Sequence, residues 1–166
     1  MLIYTAGPIG FETAYKLYKA NIVQAEKQFS RFFIKHFLDT KGNMGNFDIE
    51  KTASCVYSME MRGGGLFGCL WELCERSTSG CEVYLEKIPL KQETVEILEL
   101  FRESPYEVPS EGSFLMFCDE PVKGASLIGF TNKTSDRVII CQGRRRYLTP
   151  PSRQVKDLAD RKGRIE

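Results

Sequence analysis

The sequence predicts an α+β fold: a single domain in which a long N-terminal helix and a second, shorter helix pack on a mainly antiparallel sheet. Three observations carry that expectation. Apolar residues recur at spacings of three and four from Phe11 to His36, the repeat of one helical face. Two runs, Ala53–Met61 and Cys81–Ile88, alternate apolar and polar residues as half-buried strands do. Beyond Pro105, three short β-prone runs are separated by polar loops, the texture of antiparallel neighbours.

Taken in order, Leu2-Ile3-Tyr4 reads as a short strand ended by Gly7-Pro8-Ile9-Gly10. Phe11, Tyr15, Tyr18, Ile22, Ala25, Phe29, Phe32 and His36 then line one face of a helix over 11–39, with Gly42 and Gly45 where it should stop. Such a face needs a cover, either the sheet or a second copy of itself, so a homodimer through helix 11–39 is one expectation. Leu66, Leu70 and Leu73 share a helical face, yet Gly68 and a second possible alternation leave a hairpin open for 66–76. Residues 91–103 predict the second helix, Val95, Leu98 and Phe101 inward and Glu93, Glu96, Glu99 and Glu103 outward, stopped by Pro105. Phe114–Cys118, Ala125–Phe130 and Arg137–Cys141 predict a three-stranded meander. Pro150-Pro151 closes the domain, 1–150, and 151–166 form a basic C-terminal helix or tail.

With 166 residues, 42% hydrophobic and 27% charged, the chain has the composition of a globular domain, which excludes disordered, collagen-like and coiled-coil classes. Its apolar runs fall far below the ~20 residues of a membrane helix. Met1-Leu2-Ile3-Tyr4-Thr5 lacks the basic start and apolar stretch of a leader, which makes the cytoplasm the expected compartment and no membrane an expected partner. Six cysteines without a Cys-x-x-Cys pair, and one histidine, give poor ligand spacing, so neither a metal nor a cofactor is expected. The cysteines read as small buried hydrophobes of a reducing compartment.

Charge is unevenly spread. Residues 123–166 hold eleven basic and four acidic groups, a surplus of seven, leaving twelve basic against eighteen acidic elsewhere, a deficit of six. The centre of the basic segment is Arg144-Arg145-Arg146-Tyr147, with Arg153, Lys156, Arg161 and Lys162 beyond it. Guanidinium forks suit phosphate, and Tyr147 and Phe130 offer stacking faces for unpaired bases. The leading expectation is therefore a non-enzymatic binding module that engages nucleic acid, RNA or DNA, or a nucleoprotein complex. The plain alternative is a solvated rim that answers the glutamates of 93–103.

The second constellation is Arg62-Gly63-Gly64-Gly65, which follows a strand and opens the 66–76 segment. Consecutive glycines turn N–H groups toward an anion, a helix start adds its positive end, and Arg62 supplies a countercharge. Residues 62–68 resemble the diphosphate loop of macrodomains and poly-ADP-ribose glycohydrolases, which implies a nucleotide- or ADP-ribose-type ligand; a plain hairpin turn explains the glycines equally. Residues 3–10 resemble the opening strand and loop of nucleoside deoxyribosyltransferase-like proteins. His36 could pair with a cysteine for catalysis, but a boundary histidine near a helix C-terminus is the simpler reading, and no catalytic residue is assigned. A third expectation is a small viral or plasmid-borne accessory protein that inhibits a host complex by protein contact, since no catalytic set is recognisable.

Overall fold

The computed structural model describes residues 1–42, 47–52 and 54–151. Seven strands, β1 (Leu2–Ala6), β2 (Cys55–Glu60), β3 (Gly80–Tyr84), β4 (Phe114–Cys118), β5 (Ser126–Asn132), β6 (Arg137–Cys141) and β7 (Arg144–Tyr147), form one sheet in the order β2-β4-β1-β5-β3-β6-β7. Every neighbouring pair is antiparallel except β3 with β6. Among the described residues five α-helices complete the α+β domain: α1 (Phe11–Ala20), α2 (Ile22–Gln28), α3 (Arg31–Gly42), α4 (Gly65–Ser77) and α5 (Gln92–Leu100).

The main core forms between the sheet and α4. Ile3, Val83, Leu115, Phe117, Ile128 and Ile139 meet Leu66, Leu70 and Leu73, so the leucine spacing does mark a helix and the hairpin is excluded. Phe11 and Tyr18 of α1, Phe37 of α3, and Ile97 and Leu98 of α5 make a second, all-helical cluster. On the opposite sheet face Tyr4, Ala6 and Met116 pack with Val122, Phe47 and Ile49. No helix among the described residues is long and apolar enough to cross a membrane.

The long helix over 11–39 does not exist as one rod. It breaks at Asn21, whose side-chain amide donates to the Leu17 carbonyl, and again at Phe29–Ser30, where Phe29 is extended and the Ser30 hydroxyl accepts from Phe33 N–H to start α3. Each break resets the helical phase. Phe32, expected inside, is 79% exposed, while Ile34 and Phe37 turn inward. Of the face expected to dimerise, Phe11, Tyr18 and Ala25 are buried within the chain, where α1 packs on α5, while Ile22 and Phe32 are exposed.

The meander is corrected as well. β4, β5 and β6 are strands, but none is another's neighbour, because β1 lies between β4 and β5 and β3 lies between β5 and β6. Alternation fixes which face a strand buries; it is silent about partners. In α5 the buried residues are Thr94, Ile97 and Leu98, with Val95 and Phe101 half-buried. The cysteines divide three ways: Cys69, Cys74 and Cys81 are buried and free, Cys141 is exposed, and Cys55 and Cys118, opposite one another on β2 and β4, are joined as a disulfide. The expectation for 152–166 lies outside the described residues.

The glycine turn fixes where α4 begins. Gly64 and Gly65 take positive φ, +81° and +60°, and a Cβ on Gly65 would lie 2.5 Å from the Val108 carbonyl oxygen and 2.8 Å from the Glu107 carbonyl carbon. Only a residue without a side chain lets the 106–108 backbone seat there. Gly65→Ala is therefore expected to cost about 2–4 kcal/mol, read as a lowered urea midpoint at unchanged m-value. A midpoint equal to wild type would contradict this contact.

Candidate functional site

Three segments meet at the start of α4: the turn Arg62–Gly65, the loop Tyr106–Ser113, and the exit Leu148–Pro151. Backbone bonds hold the first two together. Met61 N–H donates to the Ser113 carbonyl (2.8 Å), Ser110 N–H to the Met61 carbonyl (2.6 Å), and Phe67 N–H to the Tyr106 carbonyl (3.0 Å). Leu148 N–H donates to the Arg137 carbonyl, which anchors the third.

What the turn leaves open is more telling than what it bonds. The N–H groups of Gly63, Gly64 and Leu66 donate to no acceptor among the described residues. No side chain caps α4, and no acidic residue stands in its first turn. An uncapped start of a thirteen-residue helix carries unsatisfied donors and the positive end of the helix dipole. A cavity of about 320 Å³ opens beside it, between Gly64, Phe67 and Gly68 on one side and Glu107, Leu148 and Pro150 on the other. Its wall is stiff: the Phe67 and Tyr106 rings stack 5.2 Å apart at 16°, and the Arg146 guanidinium lies 5.7 Å from the Phe67 centroid. Burial raises the Tyr106 hydroxyl above its ordinary pKa.

Arg62, expected as a countercharge, is paired with Glu60 at 2.7 Å although its side chain is 77% exposed. Glu60 also accepts from Gly112 N–H at 2.9 Å. That backbone bond, with Arg62 second, holds its carboxyl below the ordinary value of 4.5. Glu60 thus ties the glycine turn to the 110–113 loop.

The residues assigned to nucleic acid do not converge. β7 alternates, so Arg145 pairs with Glu82 on one sheet face (3.1 Å) while Arg146 sits over Phe67 on the other. Arg137, part of the same basic surplus, is clasped by Glu75 and stacked 3.9 Å over Trp71. Tyr147 is separated from Phe130 by β3 and β6. Arg153, Lys156, Arg161 and Lys162 lie outside the described residues. His36 pairs with Glu93 at 2.5 Å between α3 and α5, apart from the glycine turn. Phe67, Tyr106, Glu107 and Thr149 were not singled out in the sequence; they reach the site through contacts some forty residues apart, for which local spacing carries no signal.

No family model and no curated protein matches the sequence. Solved structures do match its fold. HypE, a hydrogenase maturation protein, in complex with ATP aligns with 91% of this chain at TM-score 0.63 and 13% identity; the match spans 50% of that chain. HypE from E. coli aligns with 90% at TM-score 0.66 and 15% identity, spanning 49% of its chain. Thiamine monophosphate kinase (ThiL) from Aquifex aeolicus aligns with 90% at 0.58 and 19%, spanning 51%. The chain therefore spans about half the length of the structures it matches. A HypE–HypF complex and ThiL complexed with AMPPCP and TMP are similar as well. These neighbours, together with the divergent arginines, overturn the nucleic-acid module and with it the nucleic-acid partner.

The Glu60 bridge has a pH signature. A carboxyl whose folded pKa is depressed adds stability above its unfolded value and loses that stability as pH falls through the folded value. Glu60→Gln is expected to unfold at lower urea than wild type at pH 7, with the two midpoints converging as the pH falls below the ordinary carboxylate value. A gap of constant size from pH 7 to 3 would contradict the bridge.

Proposed function

We propose that this chain is one half of a nucleotide-dependent enzyme with the architecture of HypE and ThiL, and that an anionic group of its ligand, a phosphate, sits on the Gly63–Gly65 turn. The observation that carries the reading is the start of α4: N–H groups at Gly63, Gly64 and Leu66 that meet no acceptor among the described residues, no side-chain cap, no acid in the first turn, and a cavity alongside. The likeness to HypE in complex with ATP, and to ThiL complexed with AMPPCP, supports a nucleotide in place of the ADP-ribose weighed from the sequence. Arg62 retains its role as countercharge, since an exposed pair such as Arg62–Glu60 is worth only ~0–1 kcal/mol and yields to a phosphate.

A protein partner is part of this reading, supported by the likeness to HypE in complex with HypF. The cytoplasm remains the proposed compartment on the free thiols of Cys69, Cys74, Cys81 and Cys141, while the Cys55–Cys118 disulfide argues against its being reducing.

ATP or ADP at a hundred times its Kd is expected to stabilise the fold by about 2.7 kcal/mol, a rise in Tm of roughly 5–11 °C for a chain of this size. Gly64→Asp accepts the positive φ better than most residues and caps α4 with a negative charge. It is expected to weaken nucleotide binding at least about tenfold, with Gly64→Asn weakening it less. No shift with ATP, ADP or AMPPCP, or equal binding by the aspartate and asparagine variants, would contradict the proposal.

A further inference from the structure

Gly68, which floors the cavity beside the glycine turn, is not required by anything inside this chain. It lies within α4, in ordinary helical backbone, where glycine is a poorer residue than alanine. A Cβ built there meets only the Gly63 carbonyl oxygen, at 3.4 Å, an ordinary contact. Other glycines of the fold are different: a Cβ on Gly80 would lie 2.3 Å from the Asp136 carbonyl oxygen, and one on Gly129 would lie 2.1 Å from that of Glu82. Packing explains those two and leaves Gly68 unexplained.

Gly68 lines the cavity with backbone alone. Leu148 and Pro150 face it with apolar surface, and Phe67 is held at the side by Tyr106 and Arg146. The polar residues of the lining are Glu107 and Thr149. A carboxylate only accepts hydrogen bonds, so it favours a ligand edge that donates and repels one that presents a carbonyl. A cavity lined by glycine backbone, by apolar Leu148 and Pro150 and by an acidic residue fits a thin ring with an amino group.

We propose that Gly68 determines ligand specificity: the planar, amino-bearing heteroaromatic ring of the nucleotide lies on its backbone, and Glu107 accepts a hydrogen bond from the ring's amino group. This deepens the nucleotide reading and rests on it. A methyl group at position 68 would stand where the ring lies, so the substitution that improves the helix spoils the slot.

The test compares wild type, Gly68→Ala and Glu107→Gln with three probes: ATP, inosine triphosphate, which replaces the amino group by a carbonyl, and inorganic triphosphate, which has no ring. Gly68→Ala is expected to raise the Tm of the free protein by about 2–4 °C, to weaken ATP about tenfold or more, and to leave inorganic triphosphate unchanged. Glu107→Gln is expected to erase most of the preference for ATP over inosine triphosphate. Unchanged ATP affinity in Gly68→Ala overturns the proposal, as does equal loss of ATP and inorganic triphosphate. If wild type binds inorganic triphosphate as tightly as ATP, the ring slot is wrong and the phosphate site stands. If wild type binds none of the three probes, both readings fall.

Discussion

Where Gly65 meets the backbone of Tyr106–Val108, two segments forty residues apart in sequence touch without an intervening side chain, and the rest of the site is arranged by that contact. It brings the Tyr106 carbonyl to Phe67 N–H and the Tyr106 ring onto the Phe67 ring. Those two contacts place the cavity wall. The same seating takes up one donor at the start of α4, and among the described residues the donors of Gly63, Gly64 and Leu66 meet no acceptor. A helix start this close to a core usually gains a capping hydroxyl or carboxylate; here three glycines lead into it and no side chain among the described residues caps it. The arrangement makes sense when an outside anion completes it.

The basic surplus looks different in this light. Arg145 and Arg146 leave opposite faces of an edge strand, one to Glu82 and the other to an aromatic wall, while Arg137 is sunk between Glu75 and Trp71. All three cations are engaged inside the molecule. Charged residues along β7 also make that exposed edge a poor template for a further strand. A run of arginines in a sequence reports local charge, and only the register of its strand decides whether those charges add up on one surface.

The sequence was legible where the signal was local. Alternation located β2 and β3, the apolar runs located β4, β5 and β6, and the leucines at 66, 70 and 73 shared a face that became α4. It was misleading where one residue reset the pattern. Asn21 and the Phe29–Ser30 pair cost only a few backbone bonds, yet they turned an apparent seven-turn stripe into three helices with different buried faces. Strand order was out of reach, since inserting β1 between β4 and β5 pairs residues more than a hundred positions apart. The site was half visible: the glycine turn stood out, while Phe67, Tyr106, Glu107 and Thr149 became site residues only through the fold that gathers them.

Amide-resolved NMR during titration with ADP addresses the central claim at the donors themselves. The account predicts the largest, saturable ¹⁵N–¹H shifts at Gly63, Gly64 and Leu66, moving downfield as N–H groups engage phosphate, with smaller changes at Gly68. Shifts confined to Arg144–Tyr147, or an unchanged glycine turn at millimolar ADP, would contradict it.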